Sequence, residues 1–475
     1  MSSSIERWVE HEFAGAHFGD ARLDRRFRSL LVDLGRHCGK TLASSFEAWS
    51  GIKAAYRFFA NAKVDERTML APHIAQTVVR ARDHETILSL QDTVYLDYNK
   101  RVKTAHLDFV QRTGHGKTIR GLMLHNTLAV STDGSPIGLL DQRFIDRKSF
   151  HGNNAREKNE IRHCNEAIGD KESRRWFDVV QELAELDFGR TRVVHVADRE
   201  GDIYEFFRDC AGIGQHVLVR AARDRSINKK RRREMPTEKL FDALRGRRAL
   251  GKIDVQVQVN GTKKFRRATL SVIHMTFTMP PPPNKTVTKD GPNLPMVPLQ
   301  AIMAIERKAP ANAEPIEWTL LTDLSVDGFD EAVEKVQWYA RRWNIEVFHK
   351  VLKSGCGVED AQLRTAERLK KHTVLRSIIA WRLFWLGRLR ELDEHTSCEV
   401  VLSKEEYSLL YRKANRSAKA PLQAPTVGEA LVWIAKLGGY IGRPSDPPPG
   451  VTSLWRGWQR LMEMIDDQRD LCGSS

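Results

Sequence analysis

The chain has little of what secreted, disulfide-rich or membrane-embedded proteins require. It contains six cysteines, and no two of them form a Cys-x-x-Cys pair. No apolar run is long enough to cross a bilayer, and no signal-like apolar stretch opens the sequence. Scattered thiols of this kind are typical of a reducing cytosol, so we expect a soluble cytoplasmic protein without a disulfide framework or a structural zinc site.

Acidic residues are also in deficit. The 61 Asp and Glu residues are outnumbered by 76 Lys and Arg residues, which gives a formal net charge of +15. A balance of this sign favours a polyanionic partner, and nucleic acid is the first candidate. The length of 475 residues exceeds what one hydrophobic core usually supports, so we expect several domains.

Residues 1–65 predict a small basic helical domain. Asp20 can cap a helix whose apolar positions repeat at helical spacing, and a second helix follows Ser50. Arginines such as Arg22 and Arg25 cover the other faces of the first helix. Such faces bind the phosphates of duplex DNA, although they are also common as plain solvated surface.

Strand patterns begin near residue 86 and predict the fold of the next region. They cover five segments, at residues 86–97, 122–130, 137–140, 191–198 and 216–220. The first three predict a meander, a long polar helix is expected over residues 155–186, and another helix begins near Asp202. This order is typical of an α/β fold with a ribonuclease H-like core, in which a mixed sheet packs against helices.

Residues 223–318 interrupt that order. An alternating stretch at residues 253–259 and prolines at 280–283 predict a mainly β insertion with a proline-rich loop. The basic run at residues 229–233 can follow phosphates or form a solvated loop. We therefore predict a catalytic domain over residues 66–392 that contains this insertion, and a separate helical module over residues 393–475.

One helical segment carries an unusual arrangement of charge, formed by Tyr339, Arg342, Glu346 and Lys353. On a continuous helix their spacing places all four on one face. Five apolar residues share the opposite side: Val333, Val336, Ala340, Val347 and Val351. A carboxylate between cations suits a metal ligand that faces DNA, whereas the simpler interpretation is a solvated face with ion pairs such as Arg342 with Glu346.

Two upstream aspartates supply companions for Glu346. Asp92 lies within a strand among apolar residues, where a carboxylate is costly unless it is paired or binds a metal. Asp97 has the opposite parity, so it cannot easily share a site with Asp92. Asp198 ends a buried strand, where ligands gather in α/β sheets. The oxygens of Asp92, Asp198 and Glu346 would suit Mg²⁺ or Mn²⁺.

These motifs resemble the cut-and-paste DDE transposases of bacterial insertion sequences, in the insertion-sequence-four family. The family's Tyr-x₂-Arg-x₃-Glu-x₆-Lys signature is filled completely, and Asp92 and Asp198 stand in the family-like motifs Gln-Asp-Thr and Ala-Asp-Arg-Glu. Residues 18–22 and 55–58 look like the family's N-terminal DNA-binding domain. Residues 438–440 and 455–458 look like its dimerisation region, so the resemblance covers most of the chain.

The resemblance implies a function and a role for each candidate residue. Asp92, Asp198 and Glu346 would be catalytic and would hold two divalent ions, Mg²⁺ or Mn²⁺. The protein would act on double-stranded DNA as a homodimer in a synaptic complex, excise its element through a hairpin at each end, and join the 3′ ends to target DNA. Eight further side chains would contact DNA: Tyr339, Arg342, Lys350, Lys353, Trp318, Arg220, Arg199 and His349.

Other interpretations stay open. Trp318 would stack on a base extruded from the duplex, although a core tryptophan in a strand is the simpler alternative. A catalytically inactive relative that acts as a DNA-binding repressor would need the basic helices but not the three acids. A ribonuclease H-like nuclease that only hydrolyses would have less use for a dimerising tail. In each case we expect a bacterial, nucleoid-associated protein.

Overall fold

The computed structural model describes residues 3–101, 103–112, 118–145, 174–227, 238–258, 265–282, 294–310, 313–389, 395–417, 419–443 and 446–473. Its strands are β1 (Thr86–Asp97), β2 (Asp108–Arg112), β3 (Thr118–Ser131), β4 (Pro136–Ile145), β5 (Arg192–Ala197), β6 (His216–Arg220), β7 (Gly251–Gln258), β8 (Phe265–Met279), β9 (Val297–Ile305) and β10 (Glu317–Thr322). Its N-terminal and central helices are α1 (Ser4–Glu12), α2 (Ala21–Arg36), α3 (Trp49–Ala60), α4 (Glu66–Ala81), α5 (Arg174–Ala184), α6 (Tyr204–Gly212) and α7 (Leu240–Arg245). The remaining helices are α8 (Phe329–Ala340), α9 (Trp343–Lys350), α10 (Ala366–Arg388), α11 (Lys404–Asn415), α12 (Val427–Leu437) and α13 (Val451–Gly473).

The strands form one mixed sheet, as the sequence predicts. Their order is β2-β3-β1-β5-β6-β10-β9-β8-β7, and β4 pairs with β3 as well. β3 runs antiparallel to β1 and β4, whereas β5 and β6 run parallel to β1. This pairing, together with the helical regions at both ends of the chain, confirms an α/β fold consistent with a ribonuclease H-like core.

The β-rich segment between β6 and β10 extends the same sheet. β7, β8 and β9 pair in antiparallel order, and β10 joins β9 to β6. The strand pattern of this segment is therefore confirmed. The basic run at residues 229–233 lies outside the described residues, as does most of the helix predicted for residues 155–186, of which α5 is described.

The two faces of the sheet pack against different layers. On one face, Leu88, Leu90, Val194, Val196 and Leu218 join a hydrophobic cluster with α9, α10 and the terminal helices. On the other face, residues such as Ala197 and Val219 pack against α5, α6 and α7. Because side chains alternate along a strand, neighbouring residues of β1 face different layers.

The N-terminal helices form for the predicted reasons. The Asp20 carboxylate accepts a hydrogen bond from the Arg22 backbone N–H at 2.9 Å and caps α2. Phe27, Leu30 and Leu34 are buried along one side of that helix. Such capping satisfies an N–H group that would otherwise lack a partner at the helix start.

The C-terminal helices pack against the N-terminal helices. The Trp458 indole is buried and its N–H lies 3.5 Å from the Gly35 carbonyl oxygen. A hydrogen bond of 3.0 Å joins His37 Nε2 to the Asp466 carboxylate. The hydrophobic cluster thus runs from α2 to α13 through the long buried helix α10. Sequence patterns identified these helices but could not show that their apolar sides meet.

The segment that carries Arg342 and Glu346 forms two helices and not the one continuous helix that the sequence predicted. α8 ends at Ala340, a turn covers residues 341 and 342, and α9 begins at Trp343. The Asn344 amide donates to the Gly134 carbonyl at 3.2 Å, which ties the start of α9 to the β3–β4 turn. Beyond α9 the chain winds into a π-helical turn, Val351–Gly355, that contains Lys353.

This break also changes the two sides of the segment. Tyr339 is buried, whereas Ala340, expected on the apolar side, is exposed. Val336 and Val351 are buried as expected. Neither glycine nor proline marks the break in the sequence, which explains why periodicity alone missed it.

Candidate active site

The middle of β1, the end of β5 and the start of α9 bring the three acids to one region. β1 and β5 are parallel neighbours with Leu90 opposite Val196, so Asp92 and Asp198 follow two residues further along each chain. Glu346 lies in the first turn of α9, a helix that contacts β1. The Asp198 carboxylate also accepts a hydrogen bond from the Glu200 N–H at 2.8 Å, which fixes the turn after β5.

The electrostatics of Asp92 record this proximity. Burial raises the pKa of Asp92 to about 7, the Arg342 guanidinium opposes the rise, and the negative charges of Asp198 and Glu346 add to it. Like charges shift a pKa in this way only when they lie near one another in a poorly solvated place. The acids therefore form a shared anionic site in which Asp92 is 24% exposed.

Carboxylate oxygens such as those of Asp92, Asp198 and Glu346 are the ligands that hard divalent cations prefer. Within the described part of the chain, however, no group of three His, Cys, Asp or Glu side chains lies close enough to hold a metal ion. The Arg342 guanidinium instead pairs with Glu346 at 2.5 Å. The same positive charge also lowers the pKa of Asp92. A protein cation therefore balances the acids in this structure.

An aromatic and basic cluster adjoins the acids. The rings of Trp318 and Tyr339 meet edge to face, with centroids 5.5 Å apart. Burial raises the pKa of the Tyr339 hydroxyl. The positive charges of Arg342 and Arg220 oppose this rise and the negative charge of Asp198 adds to it, so the hydroxyl lies near both cations and the acid. Arg220 also donates to the Glu317 carbonyl at 3.0 Å. Four residues that the sequence predicted as DNA contacts thus gather beside Asp198.

The other predicted DNA contacts differ in their surroundings. Lys350 and Arg199 are exposed. Lys353 is partly engaged, because its ammonium pairs with Glu359 at 3.2 Å and donates to the Tyr95 carbonyl. Any phosphate that binds Lys353 must compete with these partners.

His349 lies inside the protein rather than on a DNA-facing surface. It is 7% exposed, and its Nδ1 lies 3.7 Å from a carboxylate oxygen of Asp92. Burial, with the neighbouring Lys353 and Arg342 charges, lowers the pKa of His349 to about 3, so the ring is neutral near pH 7. The structure thus gives His349 a place beside the acids and not the direct access to DNA that the sequence predicted.

Sequence reasoning missed the polar residues behind His349. Asn126 lies opposite Asp92 in the β1–β3 register and its amide Nδ2 is 3.0 Å from His349 Nε2. Gln142 of β4 is bonded in turn to Asn126 and to Ser377 of α10. A signal was present, because Asn126 stands in a polar triplet inside an otherwise apolar strand.

The opposite face of β1 carries a second buried polar chain. His125 bonds Thr93 at 2.9 Å and Gln91 at 3.3 Å. Gln91 bonds His195 at 3.0 Å, and His195 bonds Gln215 at 2.6 Å. Burial lowers the pKa of both histidines, so this chain is neutral.

Two regions of the chain match family models of transposases. Residues 5–64 match the model described as Transposase DNA-binding. Residues 378–473 match the model described as Transposase Tn5 dimerisation domain. The two matches flank the sheet with its acids and support a Tn5-like DNA transposase that binds DNA and forms dimers. Among the described residues, no helix has the length and apolar character that crossing a membrane requires.

Proposed function

We propose that this protein is a cut-and-paste DDE transposase of the insertion-sequence-four group, with Asp92, Asp198 and Glu346 as its catalytic acids. The observation that carries the proposal is the electrostatic coupling of Asp92 to Asp198 and Glu346, at a site flanked by matches to DNA-binding and dimerisation models. A buried carboxylate whose pKa is raised by burial and by two neighbouring acids is costly to fold and is typical of sites that act on charged ligands.

The three acids would hold two divalent ions, Mg²⁺ or Mn²⁺. When bound, such ions activate water or a 3′-hydroxyl and stabilise the leaving oxygen in phosphodiester transfer. Asp92 must lose its proton to bind a cation, because a neutral carboxyl is a poor ligand for a hard ion. Its raised pKa therefore couples cation binding to proton release.

The aromatic and basic cluster would hold the DNA. Arg342 and Arg220 can each make paired hydrogen bonds to phosphate, and Lys350 and Lys353 supply point charges. Trp318 is partly buried against Tyr339, which leaves part of the indole for a stacked base. A base extruded during hairpin formation gains roughly 1–3 kcal/mol from such stacking.

The flanking regions would complete the reaction. The N-terminal helices would bind the inverted terminal repeats, and the C-terminal helices would join two copies in a synaptic complex. We expect excision by nicking and hairpin formation, followed by joining of the 3′ ends to target DNA. The protein would work in the bacterial cytoplasm at the nucleoid.

One experiment tests the whole proposal. The protein is incubated with a labelled duplex that carries its own element's end, with and without Mg²⁺ or Mn²⁺, and products are resolved on a denaturing gel. Metal-dependent nicks at the element boundary, followed by a hairpin, are expected. A specific mobility shift without cleavage under any metal would overturn the catalytic proposal and favour a DNA-binding repressor.

A further inference from the structure

A buried chain of polar side chains leads from α10 to Asp92. Gln142 Nε2 donates to Ser377 Oγ at 2.7 Å and to Asn126 Oδ1 at 2.8 Å. Asn126 Nδ2 then lies 3.0 Å from His349 Nε2. The other ring nitrogen of His349 is 3.7 Å from the nearer Asp92 oxygen. Asn126 and Gln142 are both less than a tenth exposed.

The direction of these hydrogen bonds fixes the tautomer of His349. Because Asn126 Oδ1 accepts from Gln142, its Nδ2 group faces the ring and donates to His349 Nε2. A neutral imidazole that accepts at Nε2 carries its hydrogen on Nδ1. That N–H group then faces Asp92, so every donor in the chain is oriented towards the carboxylate.

The reverse direction is less favourable. It would turn both amides, leave the Gln142 NH₂ group without acceptors, and place a nitrogen lone pair against the Asp92 carboxylate. In the present direction the buried Gln142 Oε1 lacks a partner. Protein interiors tolerate an acceptor without a partner better than a donor without one.

We propose that Asn126 is a positioning residue that holds His349 with its Nδ1–H towards Asp92. The inference rests on the proposed function, in which Asp92 binds a cation. At 3.7 Å the N–H group is too distant for a hydrogen bond, so it faces the carboxylate without occupying an oxygen lone pair. Asp92 thereby keeps its oxygens for a cation, and such supporting groups typically change metal affinity or activity by about 10–100-fold.

The first test reads the tautomer directly. The protein is labelled with [¹⁵N]histidine, and long-range ¹H–¹⁵N correlations identify which ring nitrogen of His349 carries hydrogen. The His349→Gln variant assigns the signal. The Nδ1–H form is expected in the wild type, and a mixture of tautomers is expected in Asn126→Leu. An Nε2–H form in the wild type would overturn the inference whatever the catalytic results show.

The second test measures DNA nicking by the full chain. Asn126→Leu is expected to nick end DNA about 10–100-fold more slowly with unchanged DNA affinity. Gln142→Met, which removes the donor to Asn126, should give a smaller loss in the same direction and serves if Asn126→Leu does not fold. Thr127→Val is the matched control, because Thr127 is the next buried residue of β3, faces the other layer, and its hydroxyl has no partner.

The outcomes separate the two proposals. Wild-type nicking with an equal rate in Asn126→Leu would refute the positioning role and leave the transposase proposal intact. Absence of nicking by the wild type in any metal would refute the proposed function, whereas the tautomer of His349 would still decide whether Asn126 positions the ring. Equal loss in Thr127→Val and Asn126→Leu would show a general packing effect and would also overturn the inference.

Discussion

The two faces of strand β1 treat buried polar residues in opposite ways. On one face Gln91 belongs to a closed chain of neutral amides and imidazoles, with contacts between 2.6 and 3.3 Å, under Trp176 and Phe206. On the other face the Asp92 carboxylate is partly exposed to solvent and lies near the like charges of Asp198 and Glu346. We call the Asp92 side the open face and the Gln91 side the closed face. The residues are adjacent in sequence, so the difference comes from what each face packs against.

This difference separates structural polarity from functional polarity. The closed chain satisfies its donors and acceptors, as buried polar groups must to avoid a large cost. The Asp92 face keeps a carboxylate whose burial is not offset, and such sites persist when a ligand supplies the missing charge. The incomplete electrostatics of the Asp92 face are what the proposed catalytic role requires.

The largest expected effect comes from removing an acid of the open face. Asp198→Ala should slow DNA cleavage by about 10⁴-fold or more, as loss of a central catalytic group does. Binding to the element's end should remain, because it depends on the N-terminal helices. Cleavage is read on denaturing gels and binding by mobility shift. Loss of both to the same degree would count against a metal-binding role for Asp198.

The control for this variant comes from the closed face. Gln215→Leu removes one end of the neutral chain and leaves the His195 N–H without its acceptor. It should cost about 1–3 kcal/mol of stability and leave the cleavage rate of the folded protein unchanged. A catalytic defect in Gln215→Leu as large as that of Asp198→Ala would remove the distinction between the two faces.

The next effect is a dependence of stability on pH. The pKa of Asp92 rises from an ordinary 3.8 to about 7 on folding, so the folded chain keeps a proton that the unfolded chain has lost. The protonated carboxyl is better accommodated in the folded chain than the ionised one. The stability that this proton gives is fully present below pH 3.8 and is lost as the pH rises through 7. Asp92→Asn lacks the titration, so its stability advantage over the wild type should grow by about 2–3 kcal/mol from near pH 5 to pH 8.

Urea unfolding at several pH values, without divalent metal, measures this advantage. Asp97→Asn is the comparison variant, because it removes a carboxylate of opposite parity from the same strand. A constant difference between Asp92→Asn and the wild type across the pH range would show that Asp92 ionises normally. In that case burial and the neighbouring acids would not act on Asp92 as proposed.

A smaller effect is expected at the edge of the open face. Trp318→Ala should slow hairpin formation relative to first-strand nicking by about 1–3 kcal/mol, the stacking energy of one base. Trp318→Phe should restore part of the loss because it keeps an aromatic face. Both steps are followed on one gel. Equal slowing of both steps would return Trp318 to a core role against Tyr339.

The sheet could be predicted from the sequence because strands and helix caps depend on patterns of neighbouring residues. The alternation in β1, the buried strand β5 and the cap at Asp20 each depend on a few adjacent residues. The three acids could likewise be selected from a spaced motif and from carboxylates in apolar strands. That they act as catalytic ligands stays a prediction.

Other features depend on contacts between distant segments, which no local pattern records. The break before α9 is held by Asn344 and a carbonyl at Gly134, more than two hundred residues earlier. The same holds for Asn126 with His349, and for Lys353 with Glu359 and the Tyr95 carbonyl. One continuous helix was therefore a reasonable expectation, which tertiary packing divides into two.

The smallest expected effect tests what balances the open face before a ligand binds. In the structure Arg342 pairs with Glu346 and also lowers the pKa of Asp92, so it competes with any cation for the same charges. Arg342→Gln should therefore increase the Mn²⁺ affinity of the DNA-free protein, roughly fivefold for a partly exposed pair worth about 1 kcal/mol.

Titration calorimetry or Mn²⁺ electron paramagnetic resonance measures this affinity without any reaction. Arg341→Gln is the matched control, because it removes the same charge from the same turn without touching the pair with Glu346. With end DNA bound, phosphate would draw Arg342 away and the difference between wild type and Arg342→Gln should shrink. If both variants bind Mn²⁺ alike, long-range charge explains the change and Arg342 is not a specific competitor. If only Arg342→Gln gains affinity, a metal ion can replace the Arg342 guanidinium beside the acids. The neutral chain that contains Gln91 has no charge that a ligand could replace.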